Sequence, residues 1–118
     1  MGLKHRYNKK IEYTKIGTGI EQIDDDIVDM GTLLTLESIA VVDETTALTY
    51  IRIGCMTPAY FELWEEQQTV SANELIFTQW EHTMREGQHL RCEISGGAAS
   101  DKIKVYLQGY WRKWKEEE

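Results

Sequence analysis

Residues 93–111 read EISGGAASDKIKVYLQGYW and join a loop of small residues to an alternating segment. Ile103, Val105 and Leu107 alternate with polar side chains, a two-residue period that is typical of a β-strand with one buried face. The run from Ser95 to Asp101 contains residue types that permit positive φ, so it predicts the loop between two antiparallel strands. The stretch therefore indicates an antiparallel β-protein.

The same alternation extends outward along most of the chain. Leu90, Cys92 and Ile94 are predicted to point inward on the strand before the loop. Gly109 predicts a β-bulge or a close backbone approach on the strand after it. Further strands are predicted in apolar runs at residues 11–16, 33–42, 47–55, 60–64 and 74–80. Their spacing of roughly 8 to 14 residues predicts an all-β fold, an antiparallel β-sandwich that is jelly-roll-like and has about seven or eight strands.

Local residue types predict how some of these segments are connected. Residues 33–42 and 47–55 flank the turn-like run Asp43–Thr46, which predicts a β-hairpin. Residues 65–68 are polar and predict a turn. Between residues 20 and 30 the apolar side chains recur three or four positions apart, so this segment is either one short helix or an ordered loop.

Charge is distributed unevenly along the 118 residues, whose formal net charge is −7. Residues 1–15 have a net charge of +4, whereas residues 16–46 contain eight acidic residues and no lysine or arginine. A chain of this length buries one ordinary core. We predict a basic N-terminal arm at residues 1–10, a single β-sandwich domain at residues 11–114 and a charged C-terminal tail at residues 115–118.

The sequence contains no run of about 18 apolar residues, which a membrane-spanning helix requires. Its start, MGLKHRYNKK, lacks the apolar stretch of a secretion signal, so we expect synthesis in the cytoplasm and no membrane partner. Cys55 and Cys92 fall in phase with apolar alternations and are predicted to be buried free thiols. A disulfide between them stays open as an alternative if their two strands face each other.

The residue patterns of common catalytic and cofactor sites are missing from the sequence. The acids from Asp24 to Asp29 lack the EF-hand spacing and predict a solvated loop. His82 and His89 lack the clustering of zinc ligands. Gly17-Thr-Gly19 is followed by acids that would repel a phosphate, and no nucleophile elbow is present. We therefore predict no enzyme activity, no catalytic residue, no cofactor and no metal.

Aromatic and basic side chains are the predicted partner-binding groups, because large aromatics often anchor interfaces and cations attract acidic neighbours. The predicted residues are Lys4, Arg6, Lys9, Lys10, Tyr106, Tyr110, Trp111 and Trp114. Trp64 and Trp80 are predicted core residues, whereas Trp111 and Trp114 form either an interface or a lid over the core. No nucleic-acid partner is predicted, because the pI of about 5.0 is acidic.

Residues 85–111 resemble the C-terminal strands of small jelly-roll structural proteins of tailed bacteriophages, which include capsid decoration and other head accessory proteins. The resemblance covers about a quarter of the chain and is structural rather than catalytic. It is carried by Glu86, Gly87, Leu90, Arg91, Ile94, Gly96, Gly97, Asp101, Ile103, Val105, Tyr106, Gly109, Tyr110 and Trp111. It implies a non-enzymatic virion structural protein that stabilises a capsid by binding major capsid subunits.

A homo-oligomer, with a trimer favoured, is expected because the basic arm and the acidic segment can pair between subunits. The expected location is the virion, after synthesis in the host cytoplasm. The alternative function is a carbohydrate-binding module or virion lectin that stacks sugars on Tyr106, Tyr110 or Trp111, because small jelly rolls serve both roles. A cupin-like metalloenzyme is a third option, but the sequence lacks the histidine cluster that it requires.

Overall fold

Antiparallel strands make up the regular structure of this protein. The computed structural model describes residues 3–78 and 80–113, so the predicted tail at residues 115–118 lies outside it. Within the described residues nine strands are present: β1 (His5–Thr14), β2 (Glu21–Asp24), β3 (Thr32–Asp43), β4 (Leu48–Met56), β5 (Phe61–Val70), β6 (Ile76–Phe77), β7 (His82–Arg85), β8 (His89–Gly96) and β9 (Lys102–Lys113). The same residues form no helix, and hence no helix that could span a membrane.

The strands form two sheets that pack face to face. Sheet I has the strand order β1-β9-β3-β6, with β7 also paired to β3, and sheet II has the order β2-β8-β4-β5. Every paired neighbour is antiparallel. Buried apolar side chains from both sheets fill the space between them, among them Leu36, Ile39, Ile51, Ile94 and Val105. The predicted antiparallel β-sandwich is therefore confirmed.

The alternation predicted on β8 and β9 is confirmed, because Leu90, Cys92 and Ile94 are buried together with the three predicted apolar residues of β9. In the loop that follows β8, Gly96 and Gly97 have φ values of 93° and 77°. Glycine adopts these values without a steric cost. The loop crosses from sheet II to sheet I, so the two antiparallel strands that it joins lie in facing sheets.

The hairpin predicted for β3 and β4 is wrong, because these strands also belong to different sheets. Asp43 shapes their connection: its Oδ1 accepts hydrogen bonds from the backbone N–H groups of Thr45 and Thr46 at 2.9 and 3.1 Å. A turn signal of this kind shows where the chain reverses. It does not show which sheet the next strand joins.

β1 begins at His5 rather than at Ile11, and it pairs with β9 along its whole length. The border predicted at residue 10 between a basic arm and the sandwich therefore falls inside a strand. Apolar alternation does not reveal the first half of β1, because Lys9 occupies a position on its less exposed side and pairs there with Asp25.

Three other segments differ from the sequence-based expectation. Residues 20–30 contain no helix; they include β2, which pairs with β8 and buries only Ile23. β5 continues through residues 65–68, so the turn predicted there is wrong and the polar run belongs to an edge strand. Within the strand predicted at residues 74–80, regular pairing is confined to Ile76–Phe77.

Each sheet contains a register shift beside a glycine. In sheet I, β3 shifts between Leu36 and Ser38, next to Gly109 of β9. A Cβ on Gly109 would lie 2.0 Å from the Thr35 carbonyl oxygen, so the close backbone approach predicted there is confirmed. In sheet II, β4 and β5 shift register at Gly54.

Both cysteines are buried and free, as predicted. The register of β4 and β8 places Cys55 opposite Leu90 and Cys92 opposite Ile53, in neighbouring strands of sheet II. Burial raises the pKa of Cys55 to about 11 and that of Cys92 to about 12. Both thiols are therefore protonated at neutral pH.

The two tryptophans predicted to lie in the core behave differently. Trp64 packs against the core and stacks on His82, with ring centroids 4.0 Å apart. Trp80 is 71% exposed, so its predicted core position is wrong. β6 ends at Phe77, and no strand pairing therefore turns Trp80 inward.

Candidate partner-binding surface

The pairing of β1 with β9 brings predicted cations and aromatics together. Arg6 lies opposite Tyr110, and Lys10 lies opposite Tyr106. Lys4 Nζ is 4.3 Å from the ring centroid of Tyr110, and Lys10 Nζ is 5.9 Å from that of Tyr106. Both distances are within the range of cation–π attraction. The structure therefore gathers five of the eight predicted residues on the outer face of this strand pair, with Lys4 lying just before β1.

His5 and Trp111 stack on each other near the start of β1, with ring centroids 4.1 Å apart and an interplanar angle of 19°. Trp111 is half-buried and packs against the hydrophobic core, so it acts as a lid over the core. Sequence reasoning did not name His5, because its only signal is the β1–β9 register that places it opposite Trp111. Trp114, the last predicted residue, lies outside the described residues.

Lys9 is not part of this cation–aromatic group. Its Nζ lies 2.5 Å from Asp25 Oδ1 and 3.0 Å from Asp26 Oδ2. Tyr7 donates a hydrogen bond from its hydroxyl to Asp25 Oδ2 at 2.5 Å. Burial alone would lower the pKa of Lys9, but the hydrogen bonds to the two aspartates outweigh it and raise that pKa. The basic segment and the acidic segment therefore pair within one chain at this point.

A shallow depression of about 400 Å³ lies on the outer face of sheet I. The outward side chains that line it are Asn8, Lys10, Ser38, Tyr106 and Gln108, which we call the outer platform. Strand register places Asn8, Gln108 and Ser38 side by side, one step along the strands from Lys10 and Tyr106. Asn8 and Ser38 were not predicted as site residues, because Asn8 precedes the first predicted strand and Ser38 is one small polar residue within the strand predicted at residues 33–42.

The outer face of sheet II is different, because its charges are paired. Arg52 contacts Glu66 at 3.1 Å and Glu93 at 3.5 Å. Arg91 donates to both carboxylate oxygens of Asp24, at 2.7 and 3.2 Å. This face therefore presents few unsatisfied charges to a partner.

A second cavity, of about 440 Å³, opens at the end of the sandwich where β1 begins. Its apolar walls include Tyr7, Leu34 and Trp111. Asp26, Asp29 and Lys113 supply charged groups to its lining. The predicted lid Trp111 therefore contacts the core on one side and this cavity on another.

A buried ion pair closes the other end of β1. Lys15 Nζ lies 3.2 Å from Glu21 Oε2, and the Lys15 side chain is fully buried. Glu21 also accepts hydrogen bonds from the Tyr13 hydroxyl and from the backbone N–H groups of Ile16 and Gly17. Burial opposes ionisation of Glu21, but these four donors outweigh it and lower its pKa to about 2. The arrangement is satisfied internally and leaves no group free for a ligand.

Two buried acids, Asp43 and Asp101, adjoin that ion pair. Burial raises the pKa of Asp43, and the neighbouring carboxyl group of Asp101 raises it further. Asp43 Oδ2 is buried and makes no hydrogen bond among the described residues. Burial disfavours the charged form of Asp101, yet interactions with Asp43, Thr46 and the backbone N–H of Ala98 lower its pKa. Asp101, the acid that ends the glycine-rich loop, is thus a structural residue.

The described part of the chain contains no group of three His, Cys, Asp or Glu side chains arranged to hold a metal ion. Burial lowers the pKa of His82, which stacks on Trp64. His89 lies 3.3 Å from Asp24 in the paired face of sheet II.

No protein-family model matches the sequence, and no curated protein matches it. Among solved structures, that of Bacillus endospore appendages, which form disulfide-linked pili, is similar over 98% of this chain and 92% of that chain, with a TM-score of 0.54 and 10% identity. PirA is similar over 88% of this chain and 92% of its own, with a TM-score of 0.47 and 12% identity. The infectious bursal disease virus Gx strain structure is similar over 93% of this chain and 31% of its own, with a TM-score of 0.42 and 10% identity. The similarity to the appendage structure shows that the two chains share a fold. The resemblance of residues 85–111 to phage structural proteins stays a prediction.

Proposed function

We propose that this protein is a non-enzymatic structural protein that assembles with copies of itself and binds subunits of a larger particle from outside. The finer form of the proposal is capsid decoration in a virion, with the major capsid protein as partner and a trimer as the assembled unit. The observation that carries it is the group of Lys4, Arg6 and Tyr110 on the outer face of the β1–β9 pair. Arginine and tyrosine are among the residue types that protein interfaces concentrate at their centres.

A non-enzymatic role is supported by the state of the nucleophilic side chains. The thiols of Cys55 and Cys92 are buried, and their raised pKa values keep them protonated at neutral pH. A thiolate is the form of cysteine that attacks a substrate. The three described histidines are engaged elsewhere: His5 and His82 stack on tryptophans, and His89 adjoins Asp24.

The similarity to a pilus-forming appendage supports an assembled, extracellular or virion protein rather than a free one. The two chains differ in how subunits would be joined. The appendages form disulfide-linked pili, whereas both cysteines of this chain are buried in its own core. We therefore propose that this protein assembles through non-covalent contacts.

The oligomeric part of the proposal is tested by size-exclusion chromatography with light scattering. We expect a mass of three times the 13.7 kDa chain. A double substitution, Lys4→Glu with Arg6→Glu, should shift the protein toward monomer because it reverses the charges beside Tyr110. Lys102→Glu, a single charge reversal at the other end of the β1–β9 pair, is the control and should leave the mass unchanged. A monomer at every concentration of the unmodified protein would refute assembly.

Point substitutions are preferable to truncation of the N-terminus. Residues 5–10 are paired with β9, so their deletion would remove half of β1 and expose the core beneath it. The decoration role is tested with phage heads assembled from the capsid proteins that are encoded in the same genome as this chain. The purified protein is added to the heads, and the mixture is then sedimented. We expect the protein to co-sediment and the double variant to stay in the supernatant; wild type that stays in the supernatant refutes decoration.

A further inference from the structure

We propose that the outer platform of sheet I binds an acidic glycan, and this site does not depend on the assembly role proposed above. The platform lies on a flat sheet face, away from the His5–Trp111 end of β1. Its side chains form two parallel rows because β1, β9 and β3 are in register there. One row is Asn8, Gln108 and Ser38, and the other begins with Lys10 and Tyr106. Adjacent rows on one face of a sheet are about 7 Å apart.

The first row is suited to hydroxyl groups. Two amides and one hydroxyl provide both hydrogen-bond donors and acceptors, and a sugar hydroxyl uses both. Asn8, Ser38 and Gln108 make no side-chain hydrogen bond within the described residues, whereas Thr35 and Thr83 farther along the same face bond to each other at 2.9 Å. A phosphate or a sulfate alone would need donors only. The mixed lining therefore favours a polyhydroxylated ligand.

The second row supplies a ring surface. Tyr106 is 39% exposed, although its neighbours Val105 and Leu107 are buried. Strand register continues this row through the small residue Ala40 to Phe77, which is 50% exposed. The row therefore has two exposed rings with the small side chain of Ala40 between them. Ligand sites combine such apolar surfaces with a few polar groups.

Lys10 makes the proposed ligand acidic. Its Nζ lies over the Tyr106 ring at 5.9 Å, and it takes part in no ion pair among the described residues. In the next row Glu12 lies opposite Lys104, and Glu44 contacts Lys104 Nζ at 2.9 Å. Lys10 is the single cation among the side chains of the outer platform, and the next cation in the opposite direction along this face, Arg6, lies one row beyond Asn8. One cation matches the one carboxylate that each uronic acid unit carries. A nucleic acid would instead need cations that follow its backbone.

Isothermal titration of the full chain with trigalacturonic acid tests this proposal, with maltotriose as a neutral ligand and oligothymidylate as a polyphosphate. We expect trigalacturonic acid to bind with a dissociation constant of about 0.1–1 mM, and more weakly at high salt. Tyr106→Ala and Lys10→Gln should each weaken binding about tenfold. Asn8→Ala gives a third variant that leaves both the ring and the charge in place and should weaken binding about threefold.

Two matched controls separate the platform from the rest of the surface. Tyr60→Ala removes an exposed tyrosine from the loop before β5, and Lys102→Gln removes an exposed lysine from the same strand as Tyr106. Both should bind trigalacturonic acid as the unmodified chain does. No binding of the acidic sugar, equal binding of maltotriose, or preferred binding of oligothymidylate would each overturn the proposal. Loss of binding in Lys4→Glu with Arg6→Glu but not in Lys10→Gln would also overturn it, because the ligand would then occupy the assembly surface.

Discussion

The two outer faces of the sandwich use their charges in different ways. On sheet II, Arg52 and Arg91 contact carboxylates of neighbouring strands at 2.7 to 3.5 Å. On sheet I, Lys4 and Lys10 lie over tyrosine rings instead. A cation that already has a carboxylate gains little from a second one, whereas a cation over a ring still attracts an anion. The two faces therefore differ in which charges lack a carboxylate partner among the described residues, although both belong to antiparallel sheets of the same sandwich.

Glycine substitutions test whether the two sheets differ only in their outer side chains or also in how closely their backbones pack. These substitutions should have the largest effect on stability. Gly109→Ala would place a Cβ 2.0 Å from the Thr35 carbonyl oxygen in sheet I, and Gly54→Ala would place one 2.2 Å from the Glu62 carbonyl oxygen in sheet II. Each should lower the free energy of unfolding by about 3 kcal/mol, at the upper end of overpacking costs. Urea denaturation followed by circular dichroism measures this.

The control for both glycines is Gly19→Ala, because no atom lies within 4 Å of a Cβ there and its φ is not positive. It should change the free energy of unfolding by less than about 0.5 kcal/mol. A large loss for Gly109→Ala with none for Gly54→Ala would mean that the two sheets also differ in backbone tolerance.

The sequence predicts the fold well where a strand has one buried face. On β8 the period from Leu90 to Ile94 is complete, and burial follows it. The sequence-based prediction fails where strand pairing determines the structure. The turn after Asp43 leads into the other sheet, and residues 65–68 form part of an edge strand although they are polar. Residues 20–30 show the same limit, because an i, i+3 spacing of isoleucines is not a helix when Ile23 alone points into the core.

The candidate site was partly predictable because composition alone identified its cations and aromatics. Their grouping was not, because it depends on the register that sets Lys10 opposite Tyr106 and His5 opposite Trp111. The same register sends Lys9 to the opposite side of β1, where it pairs with Asp25. Alternation assigns faces only after the strand that contains the residues has been recognised.

The two sheets also differ in pH dependence, because the pKa of one carboxyl group in sheet II is lowered and the pKa of one carboxyl group in sheet I is raised. Glu21 of sheet II has its pKa lowered to about 2, so its contribution to stability is present above the unfolded value of 4.5 and is lost as the pH falls from 4.5 to about 2. Asp43 of sheet I has its pKa raised, so its contribution is present below 3.8 and is lost as the pH rises through the folded pKa.

Thermal unfolding between pH 2 and pH 7, followed by circular dichroism, separates the two carboxyl groups. Glu21→Gln should lower the melting temperature at pH 7 by about 5 °C or more and converge with the unmodified protein near pH 2. Asp43→Asn should raise the melting temperature at pH 7 by a few degrees, because its amide can accept from Thr45 through the oxygen and donate to Asp101 through the nitrogen. Parallel pH profiles for all three proteins would contradict this assignment.

The smallest effect comes from the surface charges themselves, and it bears most directly on the difference between the faces. Arg91→Met removes two hydrogen bonds to Asp24 from sheet II and should cost up to about 1 kcal/mol, less at high salt. Lys10→Gln removes from sheet I a cation that has no carboxylate partner among the described residues, and it should change stability by less than about 0.5 kcal/mol. Urea denaturation at low and high sodium chloride measures both. If Lys10→Gln cost as much as Arg91→Met, then Lys10 would be engaged in holding the sandwich together, and the outer platform would have no free charge with which to select an acidic ligand.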